Sequence, residues 1–128
     1  MRPLPRGFTL IEQLAVISLV GTASAAALPA LADLQSRAAD TTLATLAAAA
    51  SSAMALNQAG CLVTSQQAVD GKCQPVRDCT DVATLWMGEI PTGYAVLPQP
   101  LAAHGSQCTL QRLQDGARAA FHGAATGG

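Results

Sequence analysis

This chain has little charge. Asp, Glu, Lys and Arg make up 12% of its 128 residues, against 50% apolar residues, and lysine occurs once, at Lys72. Nothing forms the basic stripe on which a nucleic-acid backbone lies. A glycine-rich phosphate loop, a nucleophile motif and a carboxylate pair in a pocket context are missing as well, so the sequence predicts neither an enzyme nor a cofactor. Aromatic residues are only 3% of the chain, and Trp86 and Tyr94 read as core of a small domain rather than as a ligand platform. His104 and His122 stand eighteen residues apart, neither in a short Cys pair, so no zinc spacing is present. Asp70, Asp78 and Asp81 lack the oxygen-ligand order of a calcium loop and read as solvated.

Where charge is missing longest, something else is present. Gln13 to Ala32 are twenty residues without a charge, about 30 Å as a helix and enough to cross the hydrocarbon core of a bilayer. Glu12 stands at the mouth of this run. A carboxylate there carries a cost that grows toward the bilayer centre, which marks it as functional by default. Arg2 and Arg6 precede the run and Asp33 is the first charge after it. The positive-inside rule then leaves the leader in the cytoplasm and everything beyond the run outside. An ordinary signal peptide, cut near Ala25 or Ala27, is the competing reading; against it, Glu12-Gln13 interrupt the apolar run just after it starts.

The short basic leader ending at Gly7, followed by Phe8-Thr9-Leu10-Ile11-Glu12 and a long apolar helix with Gly21 and Pro29, resembles the type IV prepilins and the pseudopilins of type II secretion. The likeness is specific over residues 1 to about 38. It implies that a prepilin peptidase cuts between Gly7 and Phe8 and N-methylates Phe8. It also implies that Glu12 neutralises the terminal amine of a neighbouring subunit during assembly, with a contact to the Phe8 amine of the same chain as the local alternative. Between Gly21 and Pro29 the family's helix can lose order in the filament. Proline removes the amide bond to the Ala25 carbonyl, so a kink is expected at Pro29 on general grounds too.

The helix is expected from near Phe8 to about Gln58, with Gly60 as its stop. Leu43, Leu46, Ala47, Ala50, Ala53 and Met54 recur at three and four and share one face for the head. Beyond Gly60 the sequence predicts a short strand at Cys61 to Thr64, turns at Asp70-Gly71 and Pro75, a helical stretch from Asp81 to Met87 capped by Asp78 or Thr80, and strands at Tyr94 to Leu97, Gln107 to Leu113 and Arg118 to Phe121. The expected fold is α+β and pilin-like: a long N-terminal helix, kinked near Pro29, packed on a small antiparallel sheet. Its parts are a leader at 1–7, a membrane or filament-core half of the helix at 8–32, a head-packing half at 33–59, and a head at 60–128.

Four cysteines, Cys61, Cys73, Cys79 and Cys108, all fall beyond the apolar run. Clustered in a small head they imply disulfide staples and an oxidising compartment, the periplasm or cell exterior. Four cysteines allow three pairings. A tight Cys73–Cys79 loop around Pro75, leaving Cys61 for Cys108, is the preferred expectation. The order of Gly60-Cys61, Cys79-Thr80-Asp81, Ile90-Pro91-Thr92-Gly93-Tyr94 and Cys108-Thr109-Leu110 is similar to small pilins of the mannose-sensitive haemagglutinin type. The resemblances imply a subunit of a helical filament of like or related pilins, made by an inner-membrane assembly platform. It would be a single-pass inner-membrane protein before assembly and lie on the cell surface afterwards. A pseudopilin of type II secretion, in a periplasmic pseudopilus, and a minor pilin that primes or caps the filament are the alternatives.

Overall fold

The computed structural model describes residues 9–86 and 88–128. Its first element is helix α1, Leu10–Val63, 54 residues with Pro29 inside it. Helical assignment continues through Gly21 and Pro29. Five positions of the expected inner face decide how the later part is used. Leu43, Ala47, Ala50 and Met54, spaced four, three and four apart, are buried, with Leu46 half-buried beside them, the stripe that a helix of 3.6 residues per turn presents to a core.

The expected stop at Gly60 is corrected: α1 runs three residues further, and Cys61 to Val63 form its last turn rather than a strand. Gly60 serves a close approach instead. A Cβ on it would stand 1.8 Å from the Lys72 carbonyl oxygen, so any side chain would push the returning segment away. The helix ends on Ser65 and Gln66, two non-glycine residues at φ +53 and +64, with the Gln66 amide donating to the Cys61 carbonyl at 2.7 Å.

A 3-10 turn, Cys79–Asp81, leads into the short helix α2, Val82–Leu85. Three strands follow: β1 Tyr94–Val96, β2 Ser106–Arg112 and β3 Arg118–Gly123. They form an antiparallel sheet in the order β1-β2-β3, with Val96 opposite Leu110 and Cys108 opposite Phe121. Alternation along β2 sends Cys108, Leu110 and Arg112 inward. Leu110, Phe121, Val96, Val76 and Val82 join the α1 stripe in one core, and Trp86 and Tyr94 pack against it partly buried. The fold is therefore α+β with a long N-terminal helix and a small antiparallel sheet.

Two disulfides staple it, Cys61–Cys73 and Cys79–Cys108. The expected Cys73–Cys79 and Cys61–Cys108 pairs are not formed. The reason lies in the return of the chain after α1. Val69 and Cys73 exchange backbone bonds of 2.9 and 2.8 Å, while Asn57 receives the Gln74 amide at 2.8 Å and donates to the Gln74 carbonyl at 2.9 Å. That clamp delivers Cys73 to the last turn of α1. Cys79, buried at the start of its 3-10 turn, is left for inward-facing Cys108.

The chain divides into two compact units, Met1–Ala38 and Ala39–Gly128. Among the described residues, every buried one lies in the second.

Candidate functional site

The first half of α1 carries large apolar side chains with no cover from its own chain. Leu10 and Ile11 are about four-fifths exposed, and Leu14, Val16, Ile17, Leu19, Val20, Leu31 and Leu34 are all exposed. In water such a surface is an interaction site or a liability. Thr22 donates within the helix to the Ser18 and Leu19 carbonyls at 3.0 Å. Its polarity is thereby satisfied without solvent. By length and composition α1 contains a stretch able to cross a membrane, and Pro29–Val63 meets that measure with a mean hydropathy of 1.3, while Leu10–Ala23 is a shorter apolar segment. Length and composition alone do not separate an anchor from a signal sequence or a core helix. Exposure separates the two halves of α1: Leu43, Ala47, Ala50 and Met54 already lie in the core, whereas the upstream side chains do not.

Glu12 sits at the head of this surface in a reciprocal cap. The Thr9 amide donates to Glu12 Oε2 at 3.1 Å, and the Glu12 amide donates to Thr9 Oγ1 at 3.2 Å. Together they satisfy two of the amides that a helix start leaves without partners, and they place the carboxylate against the positive end of the helix dipole. The Thr-x-x-Glu spacing of Thr9 and Glu12 is the sequence signature of this box. Gly7 and Phe8, the expected cleavage and methylation positions, lie outside the described residues. At the other end of the uncharged run Asp33 and Arg37 pair across one turn at 3.2 Å, both well exposed, a contact of small energetic value. Gly21 has open space around it.

The 39–128 unit holds its own polar devices. Asp78 caps the 3-10 turn, accepting from the Thr80 amide at 3.0 Å, while Asp81 accepts from the Arg77 and Asp78 amides at 2.8 and 3.0 Å. The Thr80 amide, followed by other donors, holds the Asp78 carboxyl below its ordinary pKa. These two carboxylates therefore cap backbone. Arg112, nearly buried, joins α1 to the β2–β3 turn: it donates to Asp40 at 3.1 Å and twice to Asp115, at 2.9 and 2.6 Å. The guanidinium bond draws the Asp115 carboxyl down to about 2, and the same contacts raise the Arg112 pKa. Asn57 adds a bond to Thr126 Oγ1 at 3.0 Å. The bonds of Arg112 to Asp40 and of Asn57 to Thr126 have no local sequence signature, because these partners are 72 and 69 residues away. Strand pairing brings the His122 ring against Gly105, the neighbour of His104, yet among the described residues no three His, Cys, Asp or Glu side chains cluster as metal ligands.

Comparison with protein-family models, with curated proteins and with solved structures finds no match to this chain.

Proposed function

We propose that this chain is a structural subunit of a type IV pilus or pilus-like filament, a pilin-like protein processed by a prepilin peptidase and assembled through the first half of α1. The reading is carried by one observation: an uncovered apolar helix surface with a single carboxylate, Glu12, at its head. Apolar packing between such helices supplies cohesion, first in the inner membrane and then in the filament core. Glu12 supplies register by meeting the methylated amine of Phe8 in an adjacent subunit. A pair of this kind, withdrawn from water, is costly to break by removing one member. The two disulfides suit a head exposed outside the cell and favour a pilus over the major secretion pseudopilin, whose head commonly has no cysteines.

The cap made by Thr9 shapes the test. Glu12→Ala removes both an assembly charge and half of a capping box, whereas Thr9→Ala removes the other half and keeps the charge. Each loses about 1 kcal/mol of helix-start stability. In cells lacking the wild-type subunit, both variants are expected in the membrane as mature protein beginning at methylated Phe8. Sheared filaments should vanish for Glu12→Ala and persist for Thr9→Ala. Equal filament yields from the two variants would reduce Glu12 to a cap. Gly7→Trp should leave the leader attached; a mature terminus near Ala25 or Ala27 in the wild type would replace the filament reading with ordinary secretion.

A further inference from the structure

Aspartate followed by glycine occurs twice in this chain, at Asp70-Gly71 and Asp115-Gly116. In this dipeptide the glycine amide can attack the aspartyl side chain, because no Cβ stands beside the attacking nitrogen. The two pairs are matched in most respects. All four residues are exposed, and each glycine is held at φ +75. The first pair lies inside the Val69–Cys73 bridge, and the second joins β2 to β3.

They differ in what holds the reacting atoms. The Asp115 carboxylate accepts from Arg112 at 2.9 and 2.6 Å and from the Ala117 amide at 3.1 Å, while the Gly116 amide is committed to the Arg112 carbonyl at 2.9 Å. Electrophile and nucleophile are both tied. With its pKa drawn down to about 2, the Asp115 carboxyl also stays ionised, and the ionised form is the poorer electrophile. At the first pair the bonds fall elsewhere. The Val69 carbonyl accepts the Lys72 and Cys73 amides at 3.0 and 2.8 Å and closes the turn around Asp70-Gly71. Among the described residues neither the Asp70 carboxylate nor the Gly71 amide has a partner. Space is open as well, since a Cβ on Gly71 would meet nothing within 4 Å.

We propose that Asp70-Gly71 is a site of spontaneous backbone isomerisation, which turns Asp70 into isoaspartate, and that the bonds of Arg112 protect Asp115-Gly116 from the same reaction. The Gly71 nitrogen forms a bond to the side-chain carboxyl carbon of Asp70. The carboxyl hydroxyl then leaves with the amide proton as water, closing a succinimide. Water adds back at one of the two ring carbonyls and the ring C–N bond there breaks. Opening at the former backbone carbonyl leaves the chain running through the Asp70 side chain, with the α-carboxylate free; opening at the other carbonyl restores aspartate. Mass and charge are unchanged. The backbone is one methylene longer between Val69 and Cys73, in the turn that delivers Cys73 to Cys61. The site lies in the 39–128 unit and stands whether or not the chain assembles into filaments.

The test is to age full-length oxidised protein in phosphatidylcholine nanodiscs at mildly acid pH. Peptides are then mapped by mass spectrometry with electron-transfer fragmentation, which separates isoaspartyl from aspartyl chains. Isoaspartate should accumulate at Asp70 at least about tenfold faster than at Asp115, the factor that one hydrogen bond to a charged group represents. A second sample, reduced and unfolded in urea, should lose this difference, with both sites reacting at similar rates. Asp70→Glu should give no product at that position and leave Asp115 as it was, because the longer side chain closes its ring far more slowly. A folded protein that forms product no faster at Asp70 than at Asp115 overturns the proposal. So does a difference that survives unfolding, which would belong to the flanking residues rather than to the fold.

Discussion

Asp115 shows how much one side chain can report about this protein. Its carboxyl is held at about 2 against an ordinary 3.8, first by the hydrogen bond from Arg112 and next by the Ala117 amide. A lowered folded value means that the charged form stabilises the fold above the ordinary carboxyl pKa, and that this contribution fades as pH falls toward the folded value. Asp78, lowered by the Thr80 amide, acts in the same direction. Denaturant midpoints of the full chain in detergent should therefore be level from pH 7 to about 5 and drop between about pH 4 and 2. Asp115→Asn should start lower at pH 7 and fall less over the acid range; an equally steep fall in that variant would remove Asp115 from the account. Legibility at this scale followed sequence distance. Asp78 was readable as a cap because its partner Thr80 is two residues away. Arg112 was not, since nothing near it in sequence foretells Asp40, and a polar residue in a strand ordinarily faces solvent.

Elements were legible where turn chemistry bounded them. The strand expected at Gln107 to Leu113 is β2, Ser106–Arg112, with Gly105 before it and the Asp115-Gly116 turn after it, and β3 begins at Arg118 as expected. The end of α1 misled because glycine is both a helix stop and a point of close approach, and only the Lys72 carbonyl, twelve residues on, decides between them. The same returning segment fixed the disulfides, so the pairing escaped a reading based on loop tightness. Peptide mapping of oxidised protein should recover Cys61–Cys73 and Cys79–Cys108 as the only links. The two links close spans of 12 and 29 residues, so paired Cys→Ala replacement should cost about 3 kcal/mol for the first and about 4 for the second in the loop-entropy account. A Cys73–Cys79 peptide, or a larger loss from the shorter span, would contradict this assignment.

Taken whole, the molecule keeps its core in one unit and its longest run of exposed apolar side chains in the other, although Leu56, Leu62, Val63 and Leu113 are exposed in the second. The core and both disulfides fall in Ala39–Gly128, while the uncovered Leu and Ile side chains from Leu10 to Leu34 fall before it. A secreted fragment of residues 39–128 should be soluble without detergent, carry both disulfides and unfold cooperatively, whereas the full chain should require a bilayer or detergent; aggregation of the oxidised fragment would show that the upstream half is needed for folding. The broad α+β layout was legible from the uncharged run and the later turn signals; how the last residues complete the fold was not. Thr126 exchanges backbone bonds with Val76 at 3.0 and 2.9 Å, its hydroxyl meets Asn57 and Gln74, and Phe121 lies in the core. These partnerships impose an order in time. If the chain crosses a membrane amino end first, as the filament reading proposes, its core cannot close until Thr126 has crossed, so all four thiols meet the oxidant before the native contacts exist to choose among them. Wrong pairs should form early and be resolved late, which makes the yield of folded subunit depend on disulfide isomerisation as well as on oxidation.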